Sequence, residues 1–65
     1  MSDLKIVGRV VRNESDEVIV KSGNYWNIPI IDIRWWKKDK PTKSGIRVNV
    51  EEAKLLLDIL RKELE

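Results

Sequence analysis

Apolar and polar residues alternate with a period of two along most of residues 4–49. From Val50 the period changes to 3.6. Residues 4–12 read as a strand rich in β-branched side chains, and Gly8 in its middle marks a bulge or a close backbone approach. Residues 13–17 are polar and turn-like, residues 17–22 form a short second strand, and Gly23-Asn24 is a turn signal. Residues 25–36 make the longest strand, with Pro29 inside it. Proline cannot donate to a ladder, so the chain there lies on an edge or bulge, or the strand starts after it. Residues 37–44 read as a basic, turn-rich loop and residues 45–49 as the fourth strand.

Val50, Ala53, Leu56, Leu57, Leu60 and Leu64 then fall on one helical stripe. Asn49 is a good N-cap, Glu52 stands at the N3 position of a capping-box pattern, and Glu51 and Glu52 suit the positive end of the helix dipole. The fold class is α+β. It is one domain over 1–65, with a four-stranded antiparallel sheet over 4–49 followed by a single C-terminal helix over 50–64, in the order ββββα.

A chain of 65 residues buries only about 60% of its unfolded surface, and domains this small usually need a staple. With no Cys and no His, disulfides and the usual zinc ligands are not available, and no metal or cofactor is expected. Association is the staple that remains. Leu55 and Ile59 lie four apart and off the main stripe, which makes them a second apolar face. A homodimer is therefore expected, with Leu55, Leu56, Ile59, Leu60 and Trp35 at the interface.

Charge narrows the partner. Residues 1–49 hold ten Lys/Arg against six Asp/Glu, whereas residues 50–65 hold three against five. Residues 34–47 alone carry six cations against Asp39. A basic block on the strand half suits a polyanion, although a charge run also serves as a plain solubilising surface. No apolar run reaches the ~18 residues of a membrane span and no signal-peptide pattern follows Met1, so a soluble, cytoplasmic and nucleoid-associated protein is expected. Plentiful Lys, Arg and Glu lean weakly towards a thermophile.

Catalytic chemistry finds little to work with. The acids are scattered, and Asp32, the one inside a strong strand, reads as an ion-pair partner for Arg34 or a nearby lysine. The aromatics are more informative. In strand phase Ile31, Ile33 and Trp35 share one face, while Asp32, Arg34 and Trp36 share the other. A tryptophan exposed among arginine and lysine is a platform on which unpaired bases stack. Tyr25-Trp26 repeats the pattern at the other end of the strand, after Lys21, and phase alone does not decide which ring is exposed. Ile46 and Val48 should face the helix and Arg47 the solvent. Lys40 and Lys43 sit on a loop stiffened by Pro41.

The run Ile31-Asp32-Ile33-Arg34 ending on Trp36, then Lys40-Pro41 and Lys43, then Gly45-Ile46, Val48-Asn49, Glu51 and Leu56, resembles the transcriptional positive cofactor 4 family, which binds single-stranded DNA. The likeness covers residues 31–60 well and the first half loosely. It implies a strongly curved four-stranded sheet and a helix, a dimer formed through the helices and adjoining sheet, and basic, aromatic-lined grooves for single strands. By that likeness Arg34, Lys40 and Lys43 match backbone-contacting positions, Trp36 a position beside a stacking residue, Tyr25 a stacking Phe, and Arg9 and Lys21 groove cations. The chain departs from the pattern in a shorter last hairpin, in Lys37 where some members have an aromatic, in Ser44 where a basic residue is usual, and in lacking a Ser-rich regulatory tail. It looks more like the compact prokaryotic, archaeal or viral members.

The expected function is a homodimeric single-stranded DNA-binding protein of little sequence preference, acting in transcription, replication or repair and not an enzyme. Arg9, Lys21, Tyr25, Trp26, Arg34, Trp36, Lys37, Lys40, Lys43 and Arg47 are its candidate contacts. RNA as the ligand, a monomeric duplex-binding chromatin-type barrel and a protein-interaction module anchored by tryptophans are the alternatives.

Overall fold

The computed structural model describes residues 3–65, and the first two positions of the 1–65 domain lie outside the described residues. Four strands, β1 (Asp3–Val11), β2 (Asp16–Tyr25), β3 (Ile28–Lys37) and β4 (Lys40–Asn49), lie in the order β1-β2-β3-β4, each antiparallel to its neighbour. One helix, α1 (Val50–Leu64), follows directly. The ββββα order expected from the periodicity is the observed one.

Two turn assignments move. Gly23-Asn24 is not a turn but part of β2. The chain reverses at Trp26-Asn27, whose φ angles of 54° and 65° are those of a tight two-residue hairpin turn. Gly23 serves a different purpose, because a Cβ there would collide with the Asp3 carbonyl of β1. The expected strand over 25–36 is thus cut, with Tyr25 ending β2 and Ile28 starting β3. Pro29 lies opposite Asn24 on β2, before the pairing with β4 begins at Ile30. The basic loop over 37–44 shrinks to a second two-residue turn, Lys38-Asp39, at φ 50° and 64°. Lys40 and Pro41 are therefore strand residues facing Lys37 and Trp36.

Two irregularities break the ladders. The β1–β2 register shifts between Ile6 and Gly8, which places the bulge beside the glycine that signalled it. The β3–β4 register shifts between Arg34 and Trp36, where Trp35 stands against Thr42, Lys43 and Ser44. Thr42 ties this second bulge together: its Oγ1 donates to the Trp35 carbonyl at 2.8 Å and accepts from the Ser44 N–H at 3.1 Å. Gly45 ends the bulge, and a Cβ there would lie 2.5 Å from the Ile33 carbonyl oxygen and 2.8 Å from the Arg34 Cα. Bulges of this kind bend a strand and increase its twist.

Register divides the sheet into two faces. Val10, Val18, Val20, Ile31, Ile33, Trp35, Ile46 and Val48 share one, the apolar face. The other face carries Arg9, Ile19, Lys21, Ile30, Asp32, Arg34, Trp36 and Arg47, and it holds the three buried residues found among the described ones, Ile19, Ile30 and Asp32. Ile19 is only 2% exposed, with Arg9 and Arg34 across from it and Glu17 and Lys21 along its own strand. Those long aliphatic stems account for apolar burial on a charged face.

The helix starts as expected. Asn49 Oδ1 accepts from the Glu52 N–H at 2.8 Å and Glu52 Oε1 accepts from the Asn49 N–H at 2.9 Å, a closed capping box. Its packing is not as expected. α1 touches only β3 and β4, and it buries no residue. Ala53 and Leu56 are half-buried, but Leu57, Leu60 and Leu64 of the same stripe are exposed, as are Leu55 and Ile59. Ile46, expected beneath the helix, is 47% exposed. The apolar face of the sheet and most of the helix stripe are therefore left open.

Candidate nucleic-acid interface

The charged face of the sheet is built in rows, because antiparallel register sets residues of neighbouring strands directly opposite. One row runs Ile6, Lys21, Asp32, Arg47 across the four strands, a second runs Arg9, Ile19, Arg34, Gly45, and a third runs Val11, Glu17, Trp36, Pro41. Trp36 and Trp35 fall on opposite faces, as strand alternation requires, and the strand-end bulge does not swap them. Leu4, Lys21, Asp32, Arg34, Trp36, Pro41 and Arg47 line an open depression of about 320 Å³ on this face.

Cations and rings are already paired within it. The Lys21 ammonium lies over the Trp36 ring at 4.8 Å from its centroid, and the Arg47 guanidinium lies over the Tyr25 ring at 5.1 Å. Tyr25 and Trp26 meet edge to face, with centroids 6.0 Å apart and planes at 86°. Tyr25 is 38% exposed and Trp26 71%, so both rings of the pair reach solvent, Trp26 more fully from the hairpin turn. Such cation–ring contacts hold side chains in place at a surface with modest energy, about 0.5–1 kcal/mol each.

Asp32 lies at the centre. Its carboxylate takes Arg34 Nη2 at 3.1 Å and Arg34 Nε at 3.4 Å, and stands 3.5 Å from Arg47 Nε. Arg34 also donates from Nη1 to the Thr42 carbonyl at 3.0 Å. The expected ion pair between Asp32 and Arg34 is present, and Arg47 joins it. Arg9 is paired at 3.7 Å with Glu17 and keeps about half of its side chain in solvent.

The structure therefore brings Arg9, Lys21, Tyr25, Arg34, Trp36 and Arg47 to one face, with Trp26 at its edge. It does not bring Lys37 and Lys40 there. They oppose each other across β3 and β4, and alternation puts Lys37 on the side of Trp35. Lys43 sits exposed in the bulge. On that other side Arg12, which residue type and spacing did not single out, lies over the Trp35 ring at 4.0 Å. The signal was there in the alternation, since Val10 and Arg12 continue the strand phase that faces Val18 and Trp35.

Among the described residues no group of His, Cys, Asp or Glu is arranged to hold a metal ion, and no helix is long and apolar enough to cross a membrane. A scan against protein-family models and searches of curated proteins and of solved structures give no match.

Proposed function

We propose that this protein binds single-stranded nucleic acid, DNA in the first place, on the charged face of its sheet, as a homodimer joined through the helices and the apolar face. One observation carries the reading. Two cation–ring pairs, Lys21 with Trp36 and Arg47 with Tyr25, share a face with Arg34 and Arg9, and Lys21, Trp36, Arg34 and Arg47 line an open depression on it. Unpaired bases stack on rings of any sequence context, worth about 1–3 kcal/mol per base, while cations follow the phosphates. A base arriving on Trp36 takes the ring face on which Lys21 rests, and the freed ammonium turns to the phosphate. The likeness of residues 31–60 to the positive cofactor 4 family supports the same reading.

The dimer is supported by surface. The chain exposes 5549 Å², against about 4,300 Å² for a compact monomer of its mass. The difference exceeds the ~800 Å² that each partner buries in a standard interface. The duplex-binding barrel loses support, because β1 and β4 are the two edges of an open sheet.

The test is competition between an oligo-dT of about 20 nucleotides, the matching RNA and a duplex of equal length, at about 50 and 200 mM salt. The single strand should win at both salts and tryptophan emission should change on binding. Equal binding of duplex contradicts the proposal.

A further inference from the structure

The geometry points to Asp32 as a positioning residue of the nucleic-acid site, which holds Arg34 and Arg47 in the orientation that receives phosphate. This rests on the binding face proposed above. A carboxylate is an odd thing to find at the bottom of a basic depression, where it repels the ligand and cancels positive charge. It is also 5% exposed, and a buried charge is costly unless paired and hydrogen-bonded. Asp32 meets that condition by spanning two arginines on two strands, Arg34 on its own strand two residues on and Arg47 directly across on β4.

The consequence for Arg34 can be counted. A guanidinium has five N–H groups. Nε and one N–H of Nη2 go to Asp32, and one N–H of Nη1 goes to the Thr42 carbonyl. Among the described residues one N–H remains without a partner on each terminal nitrogen, which leaves two donors for a phosphate. Gly45 stands opposite Arg34 and presents no side chain to block it. The anchored fork loses little rotamer freedom on binding, which is how preorganisation raises affinity. On the far side of the row Lys21 is left to its ring.

The two effects of Asp32 have opposite signs, and that makes them separable. If it only lowers the charge of the face, Asp32→Asn adds one positive charge and tightens binding to any polyanion. If it positions the arginines, the same substitution weakens single-strand binding although the face becomes more basic. The experiment titrates the oligo-dT with wild type, Asp32→Asn, Arg34→Lys and the double variant across about 50–200 mM salt, with circular dichroism as the check on folding. Asp32→Asn should weaken binding about fivefold or more, and the slope of log affinity against log salt should become shallower by at least about 0.7, the value of one phosphate contact on a single strand. Arg34→Lys keeps every charge but has no fork. It should weaken binding by a similar factor, and the double variant should be little worse than either single one.

Unchanged or tighter binding by folded Asp32→Asn overturns the assignment, as do additive losses in the double variant. Should Asp32→Asn fail to fold, Arg34→Lys decides: loss supports the assignment and wild-type affinity overturns it. Wild type that does not prefer the single strand overturns the binding face itself and this assignment with it. Wild type that binds with variants that bind equally well overturns the assignment alone.

Discussion

Trp26 occupies the left-handed region at φ 54°, where a bulky side chain costs roughly 1–2 kcal/mol relative to residues that favour it. It lies outside the sheet faces and is the most exposed of the three tryptophans, at 71%. Strain at such a position is a reason to look for function. Trp26→Asn should raise stability by about 1 kcal/mol in urea unfolding and at the same time weaken oligo-dT binding several-fold. A rise in stability with no loss of binding shows that the ring is idle. Trp36→Ala should weaken oligo-dT binding at least about fivefold, the lower end of one lost base stack, with the fold retained by circular dichroism. At this scale much was legible beforehand. The split of Trp35 from Trp36 and the Asp32–Arg34 pair follow from alternation alone. The place of Lys37 and Lys40 did not follow, because it depends on where the last hairpin turns, and neither turn carries glycine to mark it.

The elements show why. A two-residue turn with both φ angles positive is ordinarily flagged by Asn-Gly or Asp-Gly, and here Trp-Asn and Lys-Asp fill those positions. Two of the three glycines lie instead where two backbones approach, at Gly23 against β1 and at Gly45 against β3. Gly45→Ala should cost about 1–3 kcal/mol in chemical unfolding, because backbone atoms of Ile33 and Arg34 must yield. Gly8, with open space where a Cβ would stand, should accept alanine with little loss. The helix boundary was read correctly because its signal is local: Asn49 and Glu52 close the capping box on themselves. Asn49→Ala should cost about 1 kcal/mol and fray the first turn. What the helix packs on was not legible, since an apolar stripe states that a face will be covered and does not name the cover.

On the scale of the molecule that missing cover is the main fact. The radius of gyration is 12.6 Å, against about 10.7 Å for a compact domain of this length; the chain is flat, 38 × 32 × 18 Å, and leaves Leu55, Leu57, Ile59 and Leu60 of the helix and Val10 and Ile46 of the sheet exposed. In the proposed homodimer a second copy would supply apolar surface of the same kind, and sedimentation should give about twice the chain mass of 7.6 kDa. Leu55→Asp combined with Ile59→Asp should reduce that mass and the thermal stability together, because the chain buries little alone. The proposed dimer would carry the proposed binding face twice, so a single strand long enough to reach both copies should bind far more tightly than a short one. The most direct measurement is equilibrium titration of the wild-type protein, followed by tryptophan emission, with oligo-dT of about 20 nucleotides and with duplex of equal length at physiological salt. The account predicts tighter binding of the single strand, weakened by Trp36→Ala; equal affinity for the two ligands, or a Trp36→Ala variant that binds like wild type, contradicts it.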